Sequence, residues 1–308
     1  HMSINARSSY PKTKKLRYKE KNGDVLLFLT VFNGIEFIDW FLDYYRRLGV
    51  DHFFIVDNGS DDETFDRLMK EKDVSVFQNL GSFSQSACGV FWTNHLMRQF
   101  GVGHWCFHVD MDEAFVFPDM ESGRTLHDLL DYMDGHGYQS IPSVMVDIYP
   151  ETLRKNKDED PFENSMYIDS DYFFMRNELP PYNFIQGGIR ARLSGRSLLM
   201  TKAPLIKMAP DVAYIANNHQ HSHLPISDIS SVLLHYKFIG DFIGRIDEAI
   251  ERKEHFMGAR FYKGIRSEIV DSEKSDTLLS ECSVAYSGPN QLIELGLMTK
   301  SPQWMQKS

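Results

Sequence analysis

The sequence predicts an α/β protein with a mostly parallel sheet flanked by helices, and three observations indicate this class. Continuous apolar runs of strand length alternate with segments in which apolar residues recur at helical spacing. The first two of these runs end in turns that contain Asn-Gly. A later run, residues 105–109, ends in three carboxylates. Such alternation is typical of parallel strands joined by crossover helices, and ligands of such sheets bind beyond the carboxyl ends of the strands.

Each predicted element follows from local pattern. Apolar runs of β-branched, leucine and aromatic residues predict strands, and a glycine after a periodic segment predicts the end of a helix. In order, the elements predicted before the acidic run are strand 24–32, helix 35–48 ended by Gly49, strand 50–56, helix 63–70, strand 74–77 and a helix from residue 90 to about 101. Further helices are predicted at 238–250 and 290–297.

Composition is that of an ordinary globular chain. Its 308 residues are 42% hydrophobic and 25% charged, enough for one large domain or two small ones. No apolar run is long enough to span a bilayer. Three cysteines (Cys88, Cys106 and Cys282) offer neither a disulfide framework nor Cys-x-x-Cys spacing. We therefore expect a cytoplasmic protein with reduced thiols.

Charge is unevenly distributed along the chain. Residues 1–21 hold seven Lys/Arg against one acid and so carry a charge of +6. Since the net charge of the whole chain is −10, the other residues carry −16. A body this acidic argues against nucleic-acid binding. We predict that residues 1–22, whose first two resemble a tag remnant, form a flexible basic leader. The alternative is peripheral contact with anionic lipid at the inner face of the membrane.

The sequence Asp110-Met111-Asp112-Glu113 is the main functional candidate. Carboxylates at the end of a core strand are costly to desolvate unless a positive charge offsets them. Hard divalent cations such as Mn²⁺ or Mg²⁺ supply that charge and often carry a phosphate as well. The alternative interpretation is a solvated acidic turn.

Several segments together resemble a mostly bacterial subgroup of family-2-like glycosyltransferases, which have the GT-A fold. These segments are LTVFN at 29–33, LGVDHFFIVDNGSDD at 48–62, VDMDEAF at 109–115, GGIRAR at 187–192, TKAPL at 201–205 and LHYK at 234–237. The resemblance spans roughly residues 24–260. One departure is Ala114, because the subgroup usually has an aromatic residue directly after the Glu.

The resemblance implies a metal-dependent transferase that moves a sugar from a nucleotide donor, UDP- or GDP-linked, to a hydroxyl acceptor. That acceptor would be a glycan or lipid-linked molecule in surface glycan, capsule or lipopolysaccharide synthesis. The catalytic domain would cover residues 23–266. Residues 267–308 would form an extension packed on the domain or trailing from it.

The resemblance also implies roles for individual residues. Asp112 would bind Mn²⁺ or Mg²⁺ directly, and His235 would complete the metal shell. Asp110 would contact either the ribose or, through water, the metal. Asp57 would hydrogen-bond the base. The residues expected to line the nucleotide alongside it are Phe32, Asn33 and Asn58. The alternative for residues 57–60 is a plain turn, which would be preferred without the downstream Asp-x-Asp.

Basic residues are candidates for the diphosphate. Arg190, Arg192 and Lys202 lie in a segment that contains the paired glycines Gly187-Gly188, which permit close backbone approach to an acceptor or a diphosphate. Lys237 is a further candidate for the diphosphate. A solvated basic face is the alternative. An inverting transfer needs a general base. Asp147 and Glu178 are candidates, as are Asp169 and Asp171, and the pattern does not choose between them.

Two other functions remain open. A phosphohydrolase would use Asp110 as nucleophile, although Ala114 stands where that chemistry typically has Thr or Val. A non-catalytic nucleotide- or sugar-binding module would keep the pocket without turnover. A nucleotidylyltransferase fits less well, because residues 31–35 do not form a glycine-rich phosphate loop.

Overall fold

A computed structural model describes residues 10–153, 162–175, 184–196, 199–215, 219–252, 260–271 and 277–306. The chain divides into two compact units that are interleaved in sequence. The first unit comprises His1–Met111, Thr125–Ile141 and Ala203–Ser227; the second comprises Asp112–Arg124, Pro142–Lys202 and Asp228–Ser308. The expected domain 23–266 is therefore shared between the two units.

The strands are β1 (Lys12–Lys15), β2 (Val25–Val31), β3 (His52–Asp57), β4 (Val74–Gln78), β5 (Trp105–His108), β6 (Glu113–Val116), β7 (Ser140–Asp147), β8 (Tyr167–Asp169), β9 (Tyr172–Met175), β10 (Phe184–Gly187), β11 (Thr201–Lys207), β12 (Ser231–His235) and β13 (Ser283–Ala285). The helices are α1 (Ile35–Leu48), α2 (Thr64–Lys70), α3 (Val90–Leu96), α4 (Leu126–Gly135), α5 (Gly188–Ser194), α6 (Phe242–Arg252), α7 (Arg260–Arg266), α8 (Pro289–Glu294) and α9 (Pro302–Gln306). The α/β class is confirmed.

The first unit has the parallel arrangement that the alternation predicts. Its strands β4, β3, β2 and β5 pair in parallel in that order. On the outer strands, β1 pairs antiparallel with β4 and β11 pairs antiparallel with β5. Strands β2 and β3 are almost wholly buried because their continuous apolar runs are covered on both faces. Helix α1 ends as predicted at Gly49, which adopts a left-handed conformation.

The basic segment differs from the prediction of a flexible leader. Residues Lys12–Lys15 form the edge strand β1, and Lys15 Nζ donates to the carbonyl of Met69 at 2.8 Å. Tyr18 packs edge-on against Phe54, with ring centroids 5.2 Å apart. The segment is ordered because a neighbouring strand satisfies its backbone, a property that its polar composition does not reveal.

Three strands of the second unit, β7, β12 and β6, pair side by side. Strand β12 pairs in parallel with β7 and antiparallel with β6. Two antiparallel pairs, β9–β10 and β8–β13, accompany it. Helices α5, α6 and α7 contribute Ile189, Phe242 and Ile265 to a core that also contains Tyr149. The helix expected from residue 238 begins at Phe242, and that expected at 290–297 is α8.

The C-terminal residues belong to the second unit and pack within it. Trp304 has no exposed surface, its Nε1 donates to Asp119 Oδ2 at 2.8 Å, and the Arg124 guanidinium lies 4.2 Å from its ring centroid. Within the described ranges, no helix combines the length and apolarity that crossing a membrane requires.

Candidate functional site

Three strand termini of the second unit bring the candidate residues together. His235 is the last residue of β12, where it lies beside Asp147 at the end of the parallel β7. The same residue lies beside Glu113 at the start of the antiparallel β6. Asp112 precedes Glu113, and its carbonyl accepts from the backbone N–H of Tyr236 at 2.7 Å. Mixed strand directions therefore place the acidic motif beside the carboxyl ends of β7 and β12.

His235 lies between two carboxylates. Its Nε2 is 3.2 Å from Asp112 Oδ2, and its Nδ1 is 2.6 Å from Asp147 Oδ1. Asp147 and His235 are buried, whereas 16% of the Asp112 side chain is exposed. The order carboxylate, imidazole, carboxylate fixes the ring orientation through both nitrogens.

The ionisation of these groups follows from burial and pairing. Burial raises the pKa of Asp112, but the adjacent His235 and Lys237 more than offset this and hold it well below its usual range. The pKa of Asp147 is lowered in the same way, mainly by Arg190, against the effect of burial. The pKa of His235 is raised because the attraction of Asp112 outweighs the cost of burying an imidazolium.

Two predicted diphosphate ligands lie beside these carboxylates. Arg190, in the first turn of α5, places Nε 2.8 Å from an oxygen of Asp147. Lys237 Nζ lies 3.6 Å from Asp112 Oδ2 and 5.5 Å from the Tyr262 ring centroid. The cluster thus contains two carboxylates and three basic groups. The formal charge of all five groups together is +1 when His235 is protonated.

The paired glycines have a packing role. Gly187 and Gly188 have φ of 132° and 74°, in the region that favours glycine. A Cβ on Gly187 would lie 3.0 Å from the carbonyl oxygen of Asp171, and a Cβ on Gly188 would lie 3.4 Å from the Tyr172 ring. The glycines therefore accommodate the backbone of Asp171 and the ring of Tyr172, and close approach to a ligand stays a prediction.

Lys202 is buried in an ion pair with Glu113. Its Nζ lies 2.5 Å from Glu113 Oε1, and the two side chains are 3% and 0% exposed. A lysine enclosed in this way has no solvent-facing ammonium to offer a phosphate. Strand β11 carries the side chain to Glu113, so the observed contact of Lys202 is structural, and its role at a diphosphate stays a prediction.

In the first unit, Asp57 and Asn58 are part of a hydrogen-bonded turn. The buried Asp57 carboxylate accepts from the backbone N–H groups of Gly59 at 3.0 Å and Ser60 at 3.2 Å, and from Gln78 Nε2 at 3.1 Å. Asn58 Nδ2 donates to the carbonyls of Asn79 and Gly81. These contacts are those of the turn interpretation, so a base-binding role of Asp57 stays a prediction.

The other nucleotide candidates have more exposed positions. Asn33 adopts a left-handed φ of 49°, and its side-chain amide exchanges two hydrogen bonds with Asp61. Phe32 is half-buried, and Asp110 is exposed.

Of the proposed general bases, Asp171 is exposed, whereas Asp169 pairs with Arg192 at 3.1 Å. Glu178 lies outside the described residues.

Sequence reasoning missed two residues near this cluster. The hydroxyl of Tyr172 is buried close to Asp147 and has no hydrogen-bond partner in the described part of the chain. Arg245 donates to the carbonyls of Lys237 and Ile239, at 3.1 and 2.6 Å. Arg245 holds the turn that follows His235. In the sequence, the only indication of a polar role for Arg245 is that it lies outside the apolar face of α6.

The donor set suits a hard divalent cation only in part. Two ligands at about 2.1 Å from one octahedral ion are about 3 Å apart when adjacent, and Asp112 Oδ2 and His235 Nε2 are 3.2 Å apart. His235 also has its second nitrogen on a carboxylate, as metal-bound histidines usually do. In the described ranges, however, no group of three or more His, Cys, Asp or Glu is arranged to hold a metal. Further ligands would have to be water or phosphate.

Comparison with known proteins identifies no family. No family model matches the chain. No curated protein matches it either. Among solved structures, a crystal structure of HddC from Yersinia pseudotuberculosis aligns with a TM-score of 0.30 and 8% identity, over 71% of this chain and 79% of that one. A likeness at this TM-score carries no inference about function.

Proposed function

We propose that the chain is a metal-dependent glycosyltransferase of GT-A type, which moves a sugar from a nucleotide-sugar to a hydroxyl acceptor. The observation that carries this proposal is the Asp112–His235 pair, with its atoms 3.2 Å apart and Asp147 on the far nitrogen of the imidazole. Its support from the sequence is the resemblance at residues 24–260.

Asp112 and His235 would hold Mn²⁺ or Mg²⁺, with phosphate oxygens and water as the remaining ligands. Mg²⁺ in particular is commonly held by one or two carboxylates together with substrate phosphates. A bound cation of this kind offsets the negative charge that grows on a departing nucleoside diphosphate. The two protein ligands need only bind and orient, because the substrate completes the donor set.

Lys237 is the basic residue best suited to a phosphate. Its ammonium lies 3.6 Å from Asp112, beyond hydrogen-bond distance, and 23% of its side chain is exposed. The ammonium has three N–H donors, so with one on the Tyr262 hydroxyl it can still donate to an incoming anion. Arg190 is less suited, because Asp147 already takes its Nε–H at 2.8 Å.

Asp147 is a positioning residue in this proposal rather than the general base. Its carboxylate is buried and already accepts from His235 and Arg190. A base must reach the acceptor hydroxyl. Among the described candidates, the exposed Asp171 fits that requirement better than Asp147 or the paired Asp169.

The proposal is tested by nucleotide binding with and without metal. We expect UDP, GDP or CDP to raise the Tm of the protein only when Mn²⁺ or Mg²⁺ is present, and the matching nucleotide-sugar to be hydrolysed slowly. Asp112→Asn should abolish the metal-dependent part of both signals. Asp228→Asn, at an exposed carboxylate of the same unit, is the matched control and should behave as wild type.

Other outcomes would assign a different function. Metal-dependent nucleotide binding without turnover of any donor would indicate a binding module. Release of phosphate from a phosphomonoester, lost in Asp110→Asn, would indicate a phosphohydrolase. A metal-dependent signal that survives Asp112→Asn unchanged would overturn the site itself.

A further inference from the structure

We propose that the ordered basic edge of the first unit is a docking surface for an anionic membrane. This surface, the edge patch, is defined by Tyr10, Lys12, Lys14, Leu16, Arg17, Phe91 and Arg98. The inference concerns a different part of the chain from the proposed active site and does not depend on it.

The edge patch is held in place by buried contacts. Strand β1 pairs with β4, and the backbone N–H of Arg17 donates to Ser75 Oγ at 3.0 Å. Lys15 turns inward to the carbonyl of Met69, and Pro11 is buried. The side chains of Lys12, Lys14 and Arg17 are exposed. Because the backbone is already ordered, displaying these charges costs no further chain entropy on binding.

Apolar side chains lie among the charges. Leu16 is 52% exposed between Lys14 and Arg17. The Tyr10 ring stacks on His95 of α3 at 4.1 Å between centroids and is still 63% exposed. Phe91, one helical turn before His95, is 46% exposed. Arg98 is close enough to His95 to lower its pKa, although burial lowers it more.

Mixed cations and exposed aromatic or aliphatic residues favour a lipid surface. Lysine and arginine are attracted to anionic headgroups, and tyrosine, phenylalanine and leucine gain by entering the boundary with the acyl chains. Lysines on an edge strand also prevent pairing with other chains. That protective role explains Lys12 and Lys14, but it does not explain why Leu16, Tyr10 and Phe91 are exposed beside them.

Charge complementarity selects a membrane over nucleic acid. Residues 1–21 carry +6 and the other residues carry −16. A flat anionic surface can contact the exposed Lys12, Lys14 and Arg17 together. A nucleic acid gains from a basic groove that tracks its backbone, and exposed leucine contributes nothing to that contact.

The test is co-sedimentation of the full chain with vesicles, without nucleotide or metal. We expect binding to phosphatidylcholine vesicles that contain phosphatidylglycerol and none to phosphatidylcholine alone. Raising salt from about 0.1 M to about 1 M shortens the screening length about threefold and should weaken binding. The triple variant K12E/K14E/R17E should bind at least about tenfold more weakly.

A matched triple variant controls for net charge. R47E/R196E/K263E makes the same charge change at exposed positions outside the edge patch and should retain most of the binding. The double variant L16S/F91S should bind more weakly than wild type, with its salt dependence kept. Circular dichroism and Tm measurements identify any variant that fails to fold, and L16S/F91S tests the patch again without charge reversal.

The outcomes separate this proposal from the proposed function. Asp112→Asn should bind vesicles as wild type does, and K12E/K14E/R17E should turn over soluble substrate normally. Equal binding to neutral vesicles, equal loss in both triple variants, or no binding at all would overturn the docking surface. Tighter binding to a single-stranded oligonucleotide than to vesicles would also overturn it, in favour of nucleic acid.

Discussion

Lys202 forms a buried ion pair with Glu113, the residue directly after Asp112, and the atoms Nζ and Oε1 are 2.5 Å apart. The pair joins the first residue of β6 to a residue of β11 that is 89 positions away in sequence. Since Glu113 adjoins Asp112 along the chain, whatever fixes Glu113 also limits the movement of the proposed metal ligand.

Removing one partner of this pair should destabilise the protein. We expect Lys202→Met to lower the free energy of unfolding by about 3–5 kcal/mol, because it removes the ammonium that offsets the charge of the buried Glu113 carboxylate. Urea denaturation measures this. The double variant Lys202→Met/Glu113→Gln should recover much of the loss. A single variant as stable as wild type would mean that Glu113 finds another partner or water.

Asp147 should act on ligand binding through His235. Asp147→Asn keeps the shape of the side chain but weakens the hydrogen bond to His235 Nδ1. The metal-dependent affinity for nucleotide should therefore fall about 10–100-fold. Isothermal titration calorimetry measures it. Asp228→Asn again controls for loss of one negative charge. An unchanged affinity would overturn this role, and a loss accompanied by a lower Tm of the ligand-free variant would mean that Asp147 has a merely structural role.

His52 should make stability depend on pH below neutrality. Burial lowers the pKa of His52 to about 4 from its ordinary 6.5, so the unfolded chain binds the proton more readily than the folded one. Stability therefore rises with pH across this window and is lost as pH falls from 6.5 towards 4.

We expect His52→Gln to reduce that slope. Denaturation in urea at a series of pH values between 4 and 7 would show it. The substitution should leave a side chain able to bond to Ser75 Oγ, which lies 2.8 Å from His52 Nε2. An unchanged slope would assign the pH dependence to other groups.

Trp304 should stabilise the packing of helix α9 within the second unit. Trp304→Ala removes a fully buried ring, so we expect it to cost about 3–5 kcal/mol of unfolding free energy. The hydrogen bond from Nε1 to Asp119 would be lost as well. Met305→Ala, at a neighbouring side chain that is 58% exposed, is the control and should change stability little. Similar losses in both would indicate that α9 unfolds as a whole.

Tyr172→Phe should be neutral or slightly stabilising. Among the described residues its buried hydroxyl has no partner, and removing an unsatisfied polar group relieves a desolvation cost. Thermal denaturation checks this expectation. A clear loss of turnover with unchanged Tm would instead mean that the hydroxyl meets substrate.

Elements built from local pattern were predicted well. The strands and helices from β2 to β5 lie close to their expected bounds, because alternation and helical spacing depend only on neighbouring residues. Contacts between distant residues were not predicted. The ion pair of Lys202 with Glu113 and the packing of Gly187-Gly188 against residues 171–172 appear only in the fold, and the ligand-binding roles of these residues stay predictions.

The sequence by itself determined the α/β class, the strand-end carboxylates at 110–113 and the segregation of positive charge. Tertiary structure decided that Asp147, 88 residues from His235, holds its imidazole, and that residues 12–15 form an edge strand. The physical reason is the same in each case. A charged or polar side chain carries its chemistry in its identity, but strand register and crossover topology determine which distant group it meets.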